Sequence, residues 1–173
     1  MHTVELLPDP ATEERVRAAW RELAARGLPS LAGHRHPTNR PHLTVAVADA
    51  LPWDARRRLA EALAVLPLPL RLADPVRFTG RTRVLAWRVV PGPGLLDLHR
   101  VVWDALRPGD GAAGHPLLAP GRWTPHITLG RTRSRAASWP DDLLPPALSR
   151  PWDGAFTGAR TYDSVTRTTE PLG

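Results

Sequence analysis

The chain of 173 residues has no cysteine, no lysine and no glutamine, one asparagine (Asn39) and one isoleucine (Ile127). The lack of cysteine excludes disulfides and thiolate metal sites and fits a cytoplasmic protein, the expected location. No apolar run approaches the roughly 18 residues a membrane span needs, so no membrane association is expected. The opening MHTVELLPDP has no basic stretch followed by an apolar one, so no signal peptide is read there. All 23 basic residues are arginine, and against 17 acidic ones they leave a net charge of +6. A positive balance invites a phosphate-bearing partner. Scarce lysine, glutamine, asparagine and isoleucine fit GC-rich coding equally well, so charge alone does not decide. The hydrophobic content of 42% supports a core, and the length suits one domain over 1–173 or two small lobes sharing one core.

What is present is a repetition. Pro41-His42-Leu43-Thr44 returns 84 residues later as Pro125-His126-Ile127-Thr128. The surroundings repeat as well. Thr3–Leu7 suits a short strand. Asp9-Pro10 reads as a helix start, and Val16, Ala19, Trp20, Leu23 and Ala24 follow at helical spacing up to a stop at Gly27. In the second half Val84–Val90 reads as a strand and Pro91-Gly92-Pro93-Gly94 as a turn. Leu98, Val101, Val102, Ala105 and Leu106 then give the same helical spacing, with Pro108-Gly109 as the stop. Trp20 lies 22 residues before His42, and Trp103 lies 23 before His126. Two units, about 3–50 and 84–132, therefore share the order strand, turn, helix, loop, motif strand. Two similar units in one chain predict a pseudo-two-fold arrangement that can bring two histidines together.

Between the units, a helix is expected from about Trp53, and Leu68–Phe78 is expected to be extended, with Pro69 and Pro75 at edge or bulged positions. Trp139–Pro151 reads as a proline-rich connection and Ala155–Thr168 as closing strands. The fold class expected is α+β: a bilobal pseudo-two-fold duplication with mainly antiparallel sheets, flanked by helices, around a central groove.

On a strand, residues i and i+2 share a face. His42 and Thr44 then share one, as do His126 and Thr128, while Leu43, Val45, Ile127 and Leu129 turn to a core. Two histidines and two threonines facing one cavity suit phosphodiester chemistry. An imidazole titrates near pH 6.5, so one can be neutral and take a proton from water while the other gives one to the leaving oxygen. Threonine hydroxyls can donate to the non-bridging oxygens as charge builds there. No metal or other cofactor is required.

The paired segments HLTV at 42–45 and HITL at 126–129, each preceded by proline, resemble the HxTx motifs of the 2H phosphoesterase superfamily. Within it the chain is similar to the bacterial 2′-5′ RNA ligase or RNA 2′,3′-cyclic phosphodiesterase group. The resemblance extends over the early helix, RPHLTVA, VLAWRVVP, LLDLHRVV and RWTPHITLGR. It implies two lobes around a groove and a hydrolase that opens 2′,3′-cyclic phosphates of RNA ends or nucleotides to 2′-phosphates. It matches His42 to the general acid, His126 to the base, and Thr44 and Thr128 to the phosphate-holding hydroxyls. The near-symmetry of the two motifs by itself allows the reverse assignment. After the first motif many relatives carry an aromatic or bulky residue, where this chain reads Ala46-Val47-Ala48. RNA or a small cyclic nucleotide is the expected partner, with the chain acting as a monomer. The alternatives are RNA or nucleotide binding without catalysis, and 2′-5′ ligation.

Other residues are weaker candidates. Arg131 and Arg40 flank the motifs and can reach a phosphate, or can sit solvated on the surface. Trp123 and Trp87 can stack on a base or pack in the core. His34 can line the groove; with His36, in a loop that has no nearby carboxylate or cysteine, it makes a poor metal site. His99 lies beside an apolar helix stripe and reads as structural.

Overall fold

The structure is a computed structural model that describes residues 1–106 and 115–172. Its strands are β1 (His2–Pro8), β2 (Leu43–Ala48), β3 (Leu68–Phe78), β4 (Arg83–Val89), β5 (His126–Thr132), β6 (Trp152–Asp163) and β7 (Thr168–Pro171); its α-helices are α1 (Pro10–Ala25), α2 (Trp53–Leu63) and α3 (Pro93–Ala105). The helix starts follow from local chemistry. Asp9 caps α1 by accepting the Thr12 N–H at 2.9 Å, with Pro10 in the first turn. Gly27, at φ 73°, ends that segment. In α3 a proline again opens the helix, after Gly92. The expected stop at Pro108-Gly109 lies outside the described residues.

All the pairings are antiparallel. The sheet order is β1-β2-β5-β4-β3-β6-β7, and β1 also pairs with β6, so six strands close into a ring. The long β6 makes the closure: Trp152–Phe156 pairs with β3, and Phe156 to Asp163 pairs with β1. On the other side the ring is joined by one registered pair, Leu43 with Ile127. β3 explains its prolines. Pro69 lies where only β6 is paired to it, and Pro75 lies beyond a register shift where only β4 is. Each proline therefore has one unpaired side, the kind of edge or bulged position at which a missing N–H is tolerated.

The core lies between this sheet and the helices. Leu6, Leu43, Val45, Leu85, Trp87, Ile127, Leu129 and Phe156 are all essentially inaccessible. The helices are exchanged between units. α1 follows β1 but packs on β5 and β6, whereas α3 follows β4 and packs on β2, β3 and α2. Each motif strand is thus covered by the helix of the other unit, and neither unit closes its core alone.

One feature of both motif strands bears directly on the site. Glu5 pairs with Thr44 and Val4 with Ala46, which leaves Val45 as an extra residue. Ala86 pairs with Thr128 and Leu85 with Gly130, which leaves Leu129 extra. The two bulges fall three residues after each histidine. A bulge reverses the alternation of faces beyond it. Arg131, paired with Val84, therefore returns to the face of His126 and Thr128, a position strict alternation would give to Gly130. The second bulge needs a residue without a side chain. A Cβ on Gly130 would stand 2.2 Å from the Pro29 carbonyl oxygen, because the segment after α1 runs across it and the Leu31 N–H donates to the Leu129 carbonyl at 3.1 Å.

Candidate active site

The Leu43–Ile127 pair turns both of its side chains into the core, where they are 1% and 0% exposed. Their neighbours in sequence, His42, Thr44, His126 and Thr128, must then turn to the opposite face, around the one point where the two motif strands meet. In an antiparallel register this sets His42 beside Thr128 and Thr44 beside His126. All four are half-buried. Neither threonine hydroxyl has a partner among the described residues.

Both imidazoles are oriented in the same way. His42 Nδ1 lies 2.7 Å from the carbonyl of Arg40, and His126 Nδ1 lies 2.7 Å from that of Thr124. A carbonyl can only accept, so each Nδ1 carries hydrogen and each Nε2 is the atom left for proton transfer. The bulged strands are fixed by indoles. Trp20 Nε1 donates to the Thr128 carbonyl at 3.0 Å, and Trp123 Nε1 donates to the Thr44 carbonyl at 3.2 Å. Each motif carbonyl thus takes its bond from a tryptophan of the other unit.

The electrostatics of the two histidines differ. His42 Nε2 stands 3.5 Å from Oε1 of Glu5, a carboxylate only 3% exposed. Glu5 also accepts from Arg160 Nε at 2.7 Å and from the Thr3 hydroxyl at 2.8 Å. Arg160 in turn donates to the Thr38 carbonyl at 2.9 Å, which ties the ion pair to the loop entering the first motif. His126 instead faces the Phe78 ring, with centroids 4.6 Å apart. Burial pushes its pKa below the ordinary 6.5 against the opposing bond to the Thr124 carbonyl, and the positive charge of a protonated His42 pushes the same way.

The other expected residues are placed differently from one another. Arg131 is exposed on the groove face and has no partner among the described residues. Arg40 serves through its carbonyl; its guanidinium is held by Glu13 at 2.7 Å. The stacking role considered for Trp87 is corrected. The ring is inaccessible and its Nε1 donates to the Leu148 carbonyl at 2.8 Å, because Trp87 alternates with Leu85 and Val89 on the core face of β4. Trp123 is half-buried, and one face of its ring is covered by His99 at 4.0 Å and an angle of 6°. His99 is itself buried and bonded to the Leu118 carbonyl at 3.0 Å; burial lowers its pKa, with that bond opposing. His34 is exposed in a cleft with Arg17, Trp20, Arg21, Arg35, His36 and Asn39 that contains none of the motif residues. Its ring centroid is 6.4 Å from that of His36, and among the described residues no group of three or more His, Cys, Asp or Glu is arranged to hold a metal.

Sequence reading missed Glu5, Arg160, Phe78 and Arg88. Arg88 pairs with His126 in the ladder and so shares its face. The alternation in VLAWRVV was enough to separate Arg88 from Trp87. No local signal links Glu5 to a partner 155 residues away.

The comparisons with known proteins agree with this architecture. No curated protein matches the sequence. Among solved structures, TT0787 of Thermus thermophilus is similar with a TM-score of 0.63 and 21% identity, covering 100% of this chain and 96% of that one. LigT of E. coli in its apo form gives 0.59 and 20%, covering 99% and 94%. Usb1 of Kluyveromyces marxianus gives 0.57 and 10%, covering 99% and 96%. At such identities the likeness is one of fold: an antiparallel seven-stranded sheet with three helices. The family model described as the 2′-5′ RNA ligase superfamily matches residues 8–159, a span that holds both His-x-Thr strands and the helix laid over each of them. On that match the chain belongs to the 2′-5′ RNA ligase superfamily, within the 2H phosphoesterases.

Proposed function

We propose that this protein is a metal-independent cyclic phosphodiesterase that opens 2′,3′-cyclic phosphates of RNA ends or nucleotides to 2′-phosphates. The observation that carries the reading is the Leu43–Ile127 junction: it gathers two Nδ1-anchored histidines and two unpartnered threonine hydroxyls on one face. His126, whose surroundings favour the neutral form, takes a proton from water at Nε2. The water oxygen bonds to phosphorus, and the bond from phosphorus to the ribose 3′ oxygen breaks. His42, beside the Glu5 carboxylate, gives its Nε2 proton to that departing oxygen. Each such proton transfer contributes about 10²- to 10⁴-fold in rate. Thr44, Thr128 and Arg131 hold the non-bridging oxygens, whose charge grows in the transition state.

Membership of a phosphoesterase superfamily supports an enzyme, and a structure of E. coli LigT is of its complex with 3′-AMP. The difference in environment between the two histidines supports His42 as acid and His126 as base by a route independent of motif matching. A 5′-hydroxyl in place of water would join strands by a 2′-5′ bond through the same proton transfers.

Incubation with a 2′,3′-cyclic mononucleotide and chromatography of the product tests the reading. A nucleoside 2′-phosphate is expected, formed undiminished in the presence of EDTA. A 3′-phosphate, no product, or activity that stops with EDTA and returns with a divalent ion would overturn it.

A further inference from the structure

The arginines of the described residues fall into two populations. Those on the helices and on the outer strands mostly face a carboxylate, as Arg17 does with Glu13, Arg57 with Glu61, Arg58 with Asp54 and Arg77 with Asp141. A second group has none. Arg81, Arg83, Arg133 and Arg135, with Thr79 and Gly80, line a pocket of about 490 Å³ at the end of the β3–β4 hairpin, and no acidic residue lines it. Arg83 is a strut: it donates to the carbonyls of Ser134 and Ala137, and so holds the segment carrying Arg133 and Arg135 against the hairpin. Arg81, Arg133 and Arg135 have no partner among the described residues. Gathering three unpaired guanidiniums costs repulsion that an anion would relieve. The cleft around His34 lacks this feature, because its Arg17 and Arg21 are already tied to Glu13 and Glu14.

The pocket lies next in line along β5 and β3 from the residues of the motif face. Arg131 stands on the groove face of β5, and Arg133 follows two residues on, just past the end of the strand. On the facing side, Thr79 and Gly80 come directly after Phe78, whose ring lies against His126. The cationic track therefore begins beside the reacting group and leads away from it. A single phosphate in the groove would meet only the arginines of the motif face, Arg131 and Arg88, and not those of the pocket. A ligand that also reaches Arg133, Arg135 and Arg81 must carry further phosphates along an extended backbone.

We propose that the Arg81–Arg133–Arg135 pocket binds the phosphodiester backbone of a single-stranded oligonucleotide whose terminal cyclic phosphate lies between His42 and His126. The substrate class is then an oligonucleotide end, not a free nucleotide. This rests on the groove reading above.

The test compares a 2′,3′-cyclic phosphate-ended oligonucleotide of a few nucleotides with the cyclic mononucleotide, for the natural protein and for Arg133→Ser/Arg135→Ser. The natural protein should show higher kcat/KM on the oligonucleotide and a steeper fall with salt. The double variant should lose about tenfold on the oligonucleotide, and its log–log salt slope should drop by about 0.7 per lost phosphate contact. Its mononucleotide kcat/KM should be unchanged. Equal kcat/KM and salt dependence for both substrates, or an equal loss on both, would overturn the proposal. If neither substrate turns over, the groove reading fails, and fluorescence anisotropy of a labelled oligonucleotide still tests the pocket: weaker binding by the variant sustains it, and equal Kd overturns it.

Discussion

Across the ladder from the first motif threonine stands Glu5; across from the second stands Ala86. The next strand outward repeats the contrast, with Arg160 beside Glu5 and Val76 beside Ala86. Five residues after each histidine the order of charge reverses, with Val47 in the first unit and Arg131 in the second. The backbones are alike down to the bulge, the carbonyl bond to Nδ1 and the indole on the threonine carbonyl. The duplication supplies geometry, and the flanking strands supply the difference in surroundings. A carboxylate stands beside one imidazole and an aromatic ring beside the other, and the proposed division into proton donor and proton acceptor rests on that difference.

The largest effect should come from removing either imidazole. His42→Ala and His126→Ala should each lower kcat by about 10²- to 10⁴-fold with the circular dichroism spectrum intact, since both line a groove and not the core. The double variant should be little worse than the worse single one, because the pair acts as a unit. A substrate with a good leaving group sharpens the comparison: it should restore much of the rate to His42→Ala and none to His126→Ala. Rescue of the wrong variant would exchange the two roles.

Arg131→Val gives the second unit the residue of the first. Loss of a charge-assisted contact worth about 1.5–3 kcal/mol should lower kcat/KM by about 10- to 150-fold. An unchanged kcat/KM would show that the bulge brings Arg131 to the groove face without using it.

Glu5→Gln removes the carboxylate while keeping its shape. Activity should fall about tenfold on a poor leaving group and much less on a good one, a split that a purely structural role would not produce. The change also leaves Arg160 buried without its counter-charge, which is expected to cost about 3–5 kcal/mol of stability. Glu5→Gln with Arg160→Met should recover that stability, measured by urea unfolding, but not the rate.

Smaller effects follow from pH. His126 must be neutral to act as base, and its pKa is lowered, so the acid limb of kcat/KM should lie below 6.5. Bound phosphate favours the protonated imidazole, so the limb of kcat should lie higher. An acid limb of kcat/KM at or above pH 7 would contradict the burial of His126. The lowered pKa of both His126 and His99 also makes the unfolded chain bind more protons below its ordinary histidine pKa. Stability should therefore decline as pH falls from about 6.5 and level off below the folded-state values. His126→Ala should reduce that decline, while His99→Ala should add a packing loss at every pH.

Much of the fold was legible because it is written in local terms. Asp9-Pro10, the i, i+3, i+4 stripes and the alternating strands mark their own positions. The repeated spacing of Trp20 and Trp103 promised equivalent roles, but the indole that matches Trp20 in bonding a motif carbonyl belongs to Trp123. The sequence leaves Trp87 open between base and core because stacking residues and core residues share the same chemistry, and only the face on which they sit separates them. The bulges were not legible at all: an extra residue is defined by the register of a partner strand, not by its own neighbours in the sequence.

The sequence by itself determined the two His-x-Thr strands, their helices and the likeness between the units, since period and capping act over a few residues. The tertiary structure alone decided that the two strands meet at Leu43 and Ile127, that Arg131 returns to the groove, and that Glu5 stands beside His42. These depend on pairings between segments distant in the chain, where burial of a shared core fixes the register and, with it, the charge each histidine faces.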